Sequence, residues 1–343
     1  MTIRSINKID VKSEIRLSFC QVESRKEKRK GKMFHASHRI YAETSTHGPL
    51  LLDPLASAEQ ARVITQYHML ASALKEPLPE LEELGITTST SPHLILDLGC
   101  GPGGTWACDV AFDDPFCLVF GISALAPYVR QANTFRQMQT QTRVQFLQMD
   151  FARELCCPAN FSTLINGHFL RTFLTQAGWP RLLRECWRVL RPGGLLRLTE
   201  CIAAFSNSPA CEALTHYYEQ ALAVRTQIRP SQHEECHEGS ELASSPLQHT
   251  RLFELLHNVG YCGIEEQRMM LDFSAGTLYQ ASMRTNAESF FCQLAPVFYQ
   301  TTDLTTARFE EIFEQMRAEM SSPTFKGHWI LSRIHAYKPG GVQ

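Results

Sequence analysis

The stretch Leu94-Ile95-Leu96-Asp97-Leu98-Gly99-Cys100-Gly101-Pro102-Gly103-Gly104 constrains this chain more than any other. An apolar run ends beside an acid, a glycine-rich turn follows, and helix-compatible residues from Thr105 to Phe112 take over. The pattern predicts a buried strand that turns sharply into a helix. In α/β proteins such a junction holds nucleotide-like ligands, because the helix N-terminus offers unpaired N–H groups at a crevice. Glycine allows backbone conformations that a Cβ forbids and a close approach to a ligand.

Gly99, Gly101 and Gly104 also satisfy G-x-G-x-x-G, so the turn alone does not choose its ligand. Asp97 separates the readings. A carboxylate just ahead of the turn repels a pyrophosphate at short range and suits a cation. S-adenosylmethionine carries both an ammonium and a sulfonium. The acid expected about 20 residues on for an NAD ribose is missing, since Leu118 to Leu125 contains none.

Asp97 to Gly104 reads D-L-G-C-G-P-G-G and resembles the first motif of the class I S-adenosylmethionine-dependent methyltransferases. Trp187-Arg188-Val189-Leu190-Arg191-Pro192-Gly193-Gly194 resembles the same family's R-x-L-x-P-G-G turn before its fifth strand. The two motifs lie about 90 residues apart, as in that family, and the resemblance spans roughly 57–337. It implies an α/β fold: a Rossmann-like doubly wound sheet, mostly parallel with an antiparallel edge strand, helices on both faces and helical cover insertions. It also implies S-adenosyl-L-methionine as cofactor and methyl transfer as the activity.

Charge and cysteine content bear on location and partners. Residues 1–40 hold 11 Lys/Arg against 4 Asp/Glu, leaving 22 against 31 for the remainder. The cluster Arg25 to Lys32 fits a solvated tail or, as the alternative, a contact with RNA or anionic lipid. Met33, directly after it, is a candidate alternative start. No apolar run approaches the roughly 20 residues that span a bilayer, and Lys and Arg interrupt the N-terminus where a signal peptide would be apolar. Twelve scattered cysteines without a C-x-x-C pattern fit reduced, buried thiols. A cytoplasmic protein without a membrane partner is expected.

Along the chain the expected division is a basic tail over 1–45, a leading helix and linker over 46–92, and a cofactor-binding core over 93–200. An inserted cover segment over 201–249 and the rest of the core, with a second cover segment, over 250–338 complete it. Ser57-Ala58-Glu59-Gln60 has the form of a capping box, with Val63, Tyr67, Leu70 and Leu74 following at helical spacing over 57–75. Strands are expected over 116–121, 143–148, 161–166 and 195–200. Helices are expected over 126–139, 179–190, 250–259 and 306–320. A further strand covers 264–273, and a final antiparallel one, 328–337, is placed at the sheet edge by the resemblance. The aromatic-rich stretch 276–303 and the helical spacing at 213–224 are assigned to the cover.

The resemblance carries roles onto particular residues. Asp97 and the backbone of Gly99, Cys100, Gly101 and Gly103 are expected to hold the methionine end of the cofactor. Asp150 matches the acid near the adenine amino group, with Phe151 packing on the ring; a helix N-cap is the alternative for Asp150. The family's ribose-binding acid aligns with Ser123, a weaker single acceptor. Asn166, His168, Arg171 and Glu200, at the ends of the fourth and fifth strands, are the substrate-side candidates, Asn166 also bordering the cofactor. His168 is the candidate base or a structural histidine. Arg171 would hold an acidic substrate group or a surface carboxylate. Glu200 would orient an acceptor or simply end its strand.

His233-Glu234-Glu235-Cys236-His237 fits H-E-x-x-H, but its polar, proline-flanked setting and the lack of a third ligand argue against zinc, and no metal is expected. The inserted segments and their aromatics favour a small-molecule acceptor in a closed pocket. An RNA or protein methyltransferase using the basic tail is the first alternative, and nucleic acid is disfavoured because no N/D-P-P-Y motif follows the fourth strand. A non-catalytic cofactor-binding homologue is the second.

Overall fold

The structure, a computed structural model, describes residues 51–74, 77–78, 80, 92–174, 177–226 and 246–340. The basic tail and the His233–His237 motif lie outside these residues. Helix α1 (Ser57–Leu74) leads into β1 (His93–Leu98), α2 (Thr105–Asp113), β2 (Cys117–Ser123), α3 (Ala126–Met138), β3 (Val144–Gln148) and β4 (Ser162–His168). Then come α4 (Trp179–Val189), β5 (Leu190–Ser206), α5 (Pro209–Thr226), α6 (Pro246–Val259) and β6 (Cys262–Asp272). The chain ends on α7 (Gln280–Thr301), α8 (Thr306–Met320) and β7 (Gly327–Tyr337).

The seven strands form one sheet in the order β3-β2-β1-β4-β5-β7-β6. β1 to β5 are parallel, and β7 runs antiparallel to β5 and β6. The strand order reverses between β1 and β4, which opens a crevice at their C-terminal ends, where α/β sheets bind ligands. The mostly parallel sheet with its antiparallel strand toward one edge agrees with the sequence expectation. The edge position itself belongs to β6, with β7 one place inside. β6 carries Glu265, Glu266 and Arg268 and is largely exposed, as an edge strand that discourages further pairing would be.

Alternation along the strands divides the core. Ile95, Val119, Leu164 and Leu195 face Trp106, Ala107, Val110 and Ala132 of α2 and α3. Their neighbours Leu96, Leu98, Ile165 and Leu196 face Leu182, Leu183, Cys186 and Val189 of α4, with Leu252 and Leu256 of α6. The inward face read for α4 is thus the buried one, and each fully buried Leu or Val contributes about 1.5–3 kcal/mol. A third cluster joins Leu214, Phe291, Leu294, Phe298, Ile312 and Met316 with Leu331 of β7. It is a cover lobe built from α1, α5, α7 and α8.

Three local expectations are corrected. Gln60 does not close a capping box onto Ser57; its amide donates to the carbonyls of Pro54 (3.4 Å) and Leu55 (3.3 Å), tying the helix to the preceding turn. β5 is 17 residues long, because Arg191 to Gly194 forms an irregularity within the strand, with a register shift against β4 between Ser162 and Leu164. It also runs on from Cys201 to Ser206, inside the stretch expected to be cover, because β7 pairs with it there.

Candidate functional site

The glycine turn starts where β1 ends. Gly99 (φ 74°), Gly101 (φ 65°) and Gly104 (φ 56°) take positive φ. At Gly104 a Cβ would also run into the ring of Phe146 from β3, and at Gly121 of β2 it would meet the same ring. Both glycines therefore admit one aromatic side chain under the turn. On its outer side, a Cβ at Gly103 would lie 3.3 Å from Ile64 and one at Gly101 would lie 3.8 Å from Val63. The leading helix α1 thus leans on the turn. No side chain caps α2 at Gly104, which leaves its first N–H groups available at the positive end of the helix dipole.

Asp97 is buried, with 3% of its surface exposed. One of its oxygens accepts from Asn166 Nδ2 at 2.9 Å, and Asn166 Oδ1 accepts from Arg197 Nη1 at 3.2 Å. Asp97, Asn166, Arg197 and His335 are register partners on β1, β4, β5 and β7. They therefore stand in a row on one face of the sheet. Arg197 Nε lies 3.2 Å from Glu80 Oε1, which is also 3.6 Å from Arg333 Nη1 and 3.0 Å from His335 Nε2. Burial pushes the Glu80 carboxyl up, but the His335 hydrogen bond and the charges of Arg197 and Arg333 outweigh it and hold the group at about 2. Trp106 braces this cluster. Its ring lies 5.8 Å below the Arg197 guanidinium, its edge meets His168 at 5.9 Å, and its Nε1 donates to Pro77 O at 2.8 Å.

At the far ends of β2 and β3 the roles differ. Ser123 is buried and its Oγ accepts from Leu125 N at 3.1 Å. Asp150 caps its own turn, accepting from Ala152 N at 3.1 Å, and pairs with Arg153 at 3.1 Å. No helix starts at Asp150, so its carboxylate closes a turn over 151–153 and caps no helix, and it retains acceptor capacity beyond these two contacts. Phe151 is buried in the core with its ring edge-on to Phe173 at 6.2 Å.

On the substrate side, His168 ends β4 with Nδ1 3.3 Å from Asn166 Nδ2. Phe169 follows with φ 53°, an unusual conformation for a non-glycine residue. Its N–H donates to Thr199 O at 2.9 Å, and Glu200 Oε1 accepts from Leu170 N at 2.9 Å. Burial pushes Glu200 up to about 7, against the Arg171 charge and the N–H groups of Leu170 and Arg171. Arg171 keeps Nη1 enclosed without an acceptor among the described residues. In the cover lobe, Tyr218 meets Phe290 edge-on at 5.4 Å, and Arg62 lies over Phe290 at 5.4 Å. Burial pushes the Tyr218 phenol up.

The sequence reading thus found Asp97, Asn166 and His168, which the fold brings together, and placed Arg171 and Glu200 beside them. It missed Glu80, Arg197, Arg333 and His335. An arginine inside the apolar strand Leu195 to Leu198 was the available signal; Glu80, in a proline-rich linker, offered none.

The methyltransferase domain family matches residues 95–194. A carboxy-S-adenosyl-L-methionine synthase of Desulforapulum autotrophicum is 29% identical over 145 residues, 42% of this chain and 58% of that protein. The chain therefore spans little more than half of that relative's length. YcgJ of Bacillus subtilis superposes with a TM-score of 0.45 at 17% identity, covering 76% of this chain and 99% of that one. Phosphoethanolamine N-methyltransferase 2 of Haemonchus contortus, with phosphomonomethylethanolamine and S-adenosylhomocysteine, gives 0.47 at 14%, covering 84% and 60%. Likenesses this distant assign no substrate. Residues 95–194, which hold Asp97 and the glycine turn at the reversal of the strand order, are thus similar throughout to the methyltransferase domain family.

Proposed function

We propose that this chain transfers a methyl group from S-adenosylmethionine to a small-molecule acceptor. The observation that carries the reading is the buried Asp97 carboxylate, backed by Asn166 and set at the mouth of the glycine turn. A fixed anion there matches the ammonium of the cofactor. The uncapped N-terminus of α2 and the backbone of Gly99, Cys100, Gly101 and Gly103 match its carboxylate. Ser123 is assigned to the ribose, its hydroxyl free to donate while Oγ accepts within its own turn. Asp150 is assigned to the adenine amino group.

The sulfonium supplies an already activated methyl group, so the protein's task is mainly to align donor and acceptor. His168 is assigned as the base for an acceptor that must lose a proton. Arg171 is assigned to an acidic group of the acceptor, because its enclosed Nη1 has no acceptor among the described residues. Glu200 holds the loop after β4, and through it the positions of His168 and Arg171. The aromatic face of α5 and α7 would close the acceptor pocket and exclude water. A cytoplasmic location belongs to the same proposal and is supported by ten unbridged cysteines among the described residues.

Calorimetric titration with S-adenosylmethionine tests the cofactor half, comparing wild type with Asp97→Ala. Micromolar binding, lost in the variant, is the expected result, and a screen of small acceptors follows it. A folded wild type that binds nothing would mean that Ser123 has cost the site its hold on ribose, and would point to a different ligand or an inactive homologue.

A further inference from the structure

Arg197 has none of its surface exposed, and it stands in a strand whose neighbours Leu195, Leu196 and Leu198 are equally buried. An apolar side chain at this position would pack at lower cost, since desolvating a guanidinium is expensive even when it is paired. Its contacts lead in two directions. Toward β4, Nη1 donates to Asn166 Oδ1 at 3.2 Å, and the same amide donates to Asp97 at 2.9 Å. Toward the segment before β1, Arg197 donates to Pro77 O at 3.2 Å and pairs with Glu80 at 3.2 Å.

The Asn166 amide has two ends of opposite character. In the observed orientation its oxygen faces a cation and its NH2 faces an anion. The flipped amide would set oxygen against the Asp97 carboxylate and NH2 against the guanidinium. Arg197 therefore keeps an ordered donor on Asp97. The guanidinium also brings a positive charge near the place where the cofactor's ammonium is to bind, and Arg333 adds another, with 2% of its surface exposed. Glu80 is ionised throughout the physiological range, held at about 2, and cancels much of that field. Charges alternate along the row: Glu80, Arg197, the Asn166 dipole, Asp97.

We propose that Arg197 and Glu80 are positioning residues for the amino-acid end of the cofactor. Arg197 orients Asn166 toward Asp97, and Glu80 neutralises Arg197 where an ammonium must be accommodated. The inference rests on the reading that S-adenosylmethionine lies against Asp97. It predicts an effect confined to ligands that carry the amino-acid moiety. S-adenosylhomocysteine has that moiety; 5′-methylthioadenosine shares the adenosine and the sulfur but lacks it.

Calorimetry on the full chain with both compounds, for wild type, Glu80→Gln and Arg197→Lys, provides the test, with folding checked by circular dichroism. Glu80→Gln removes the carboxylate charge that pairs with Arg197 and Arg333. Arg197→Lys keeps a charge but loses the planar fork that reaches Asn166, Pro77 and Glu80 together. Each variant should bind S-adenosylhomocysteine roughly tenfold more weakly, the scale of one charge-assisted hydrogen bond, with 5′-methylthioadenosine within about twofold of wild type. Should Glu80→Gln fail to fold, Arg197→Lys decides. Equal losses for both compounds, or no loss for either, would overturn the inference while leaving the cofactor reading standing. A wild type that binds neither compound would overturn both.

Discussion

Glu200 is a carboxyl with 4% of its surface exposed, whose oxygen accepts the N–H of Leu170. Its pKa stands at about 7 against an ordinary 4.5, chiefly through burial. The folded chain therefore holds this proton more tightly than the unfolded chain does. The stability it contributes is complete below about 4.5 and is lost as the pH rises through about 7, a swing of about 3 kcal/mol. Glu200→Gln keeps an acceptor for Leu170 without a charge. Urea denaturation between pH 5 and 8 should show wild type losing stability with rising pH more steeply than the variant; parallel profiles would place the Glu200 pKa in the ordinary carboxylate range. Gly104 offers a second test at this scale, since its positive φ and the Phe146 ring both oppose a Cβ. Gly104→Ala should cost about 2–4 kcal/mol from overpacking and backbone strain together. Combined with Phe146→Ala, which empties the space, it should cost less than the two single changes summed.

At the scale of elements, α1 matters most, because it touches the glycine turn on one side and the cover helix α7 on the other. Arg62 pairs with Glu59 through two contacts of 2.7 Å and donates to Asn286 of α7 at 3.0 Å, while Gln293 donates to Glu59 at 3.3 Å. Removing the guanidinium in Arg62→Ala leaves the buried Glu59 carboxylate to Gln293. A loss of about 2–3 kcal/mol is expected in chemical denaturation. Thr305→Ala, which removes only the N-cap of α8 accepted from Arg308 N, should cost about 1 kcal/mol. Most elements were legible from periodicity, and α8 was placed over 306–320 as observed. β5 was not, for a physical reason. Pro192-Gly193-Gly194 is locally a turn signal, and only distant pairing with β4 and β7 makes Leu190 to Ser206 one strand. Likewise β6 takes the edge because of what β7 pairs with, which no local pattern encodes.

Across the whole molecule, the candidate site was legible where a motif is local and illegible where charge partners come from distant segments. Asp97 and the glycines announce themselves within eleven residues, whereas Glu80 meets Arg197, Arg333 and His335 only after the sheet has formed. The same long-range pairing bears on how the chain unfolds. Residues 195–200 of β5 belong to the cofactor core, and residues 201–206 continue into the cover lobe, paired with β7 on both sides of a bulge between Cys201 and Ala203. Two strands thus cross from one hydrophobic cluster to the other, interrupted only by that bulge, and opening the cover would expose both their ladder hydrogen bonds and their apolar faces. A single cooperative transition follows from that continuity, in place of separate melting of the two lobes. Trp106 reports on the core cluster and Trp329 on the cover. Variants retaining only Trp106 or only Trp329 of the chain's four tryptophans should each give coincident fluorescence and far-UV dichroism midpoints in urea. An earlier fluorescence midpoint in the Trp329 variant would show that the cover unfolds on its own, and that the continuity of β5 and β7 does not couple the lobes.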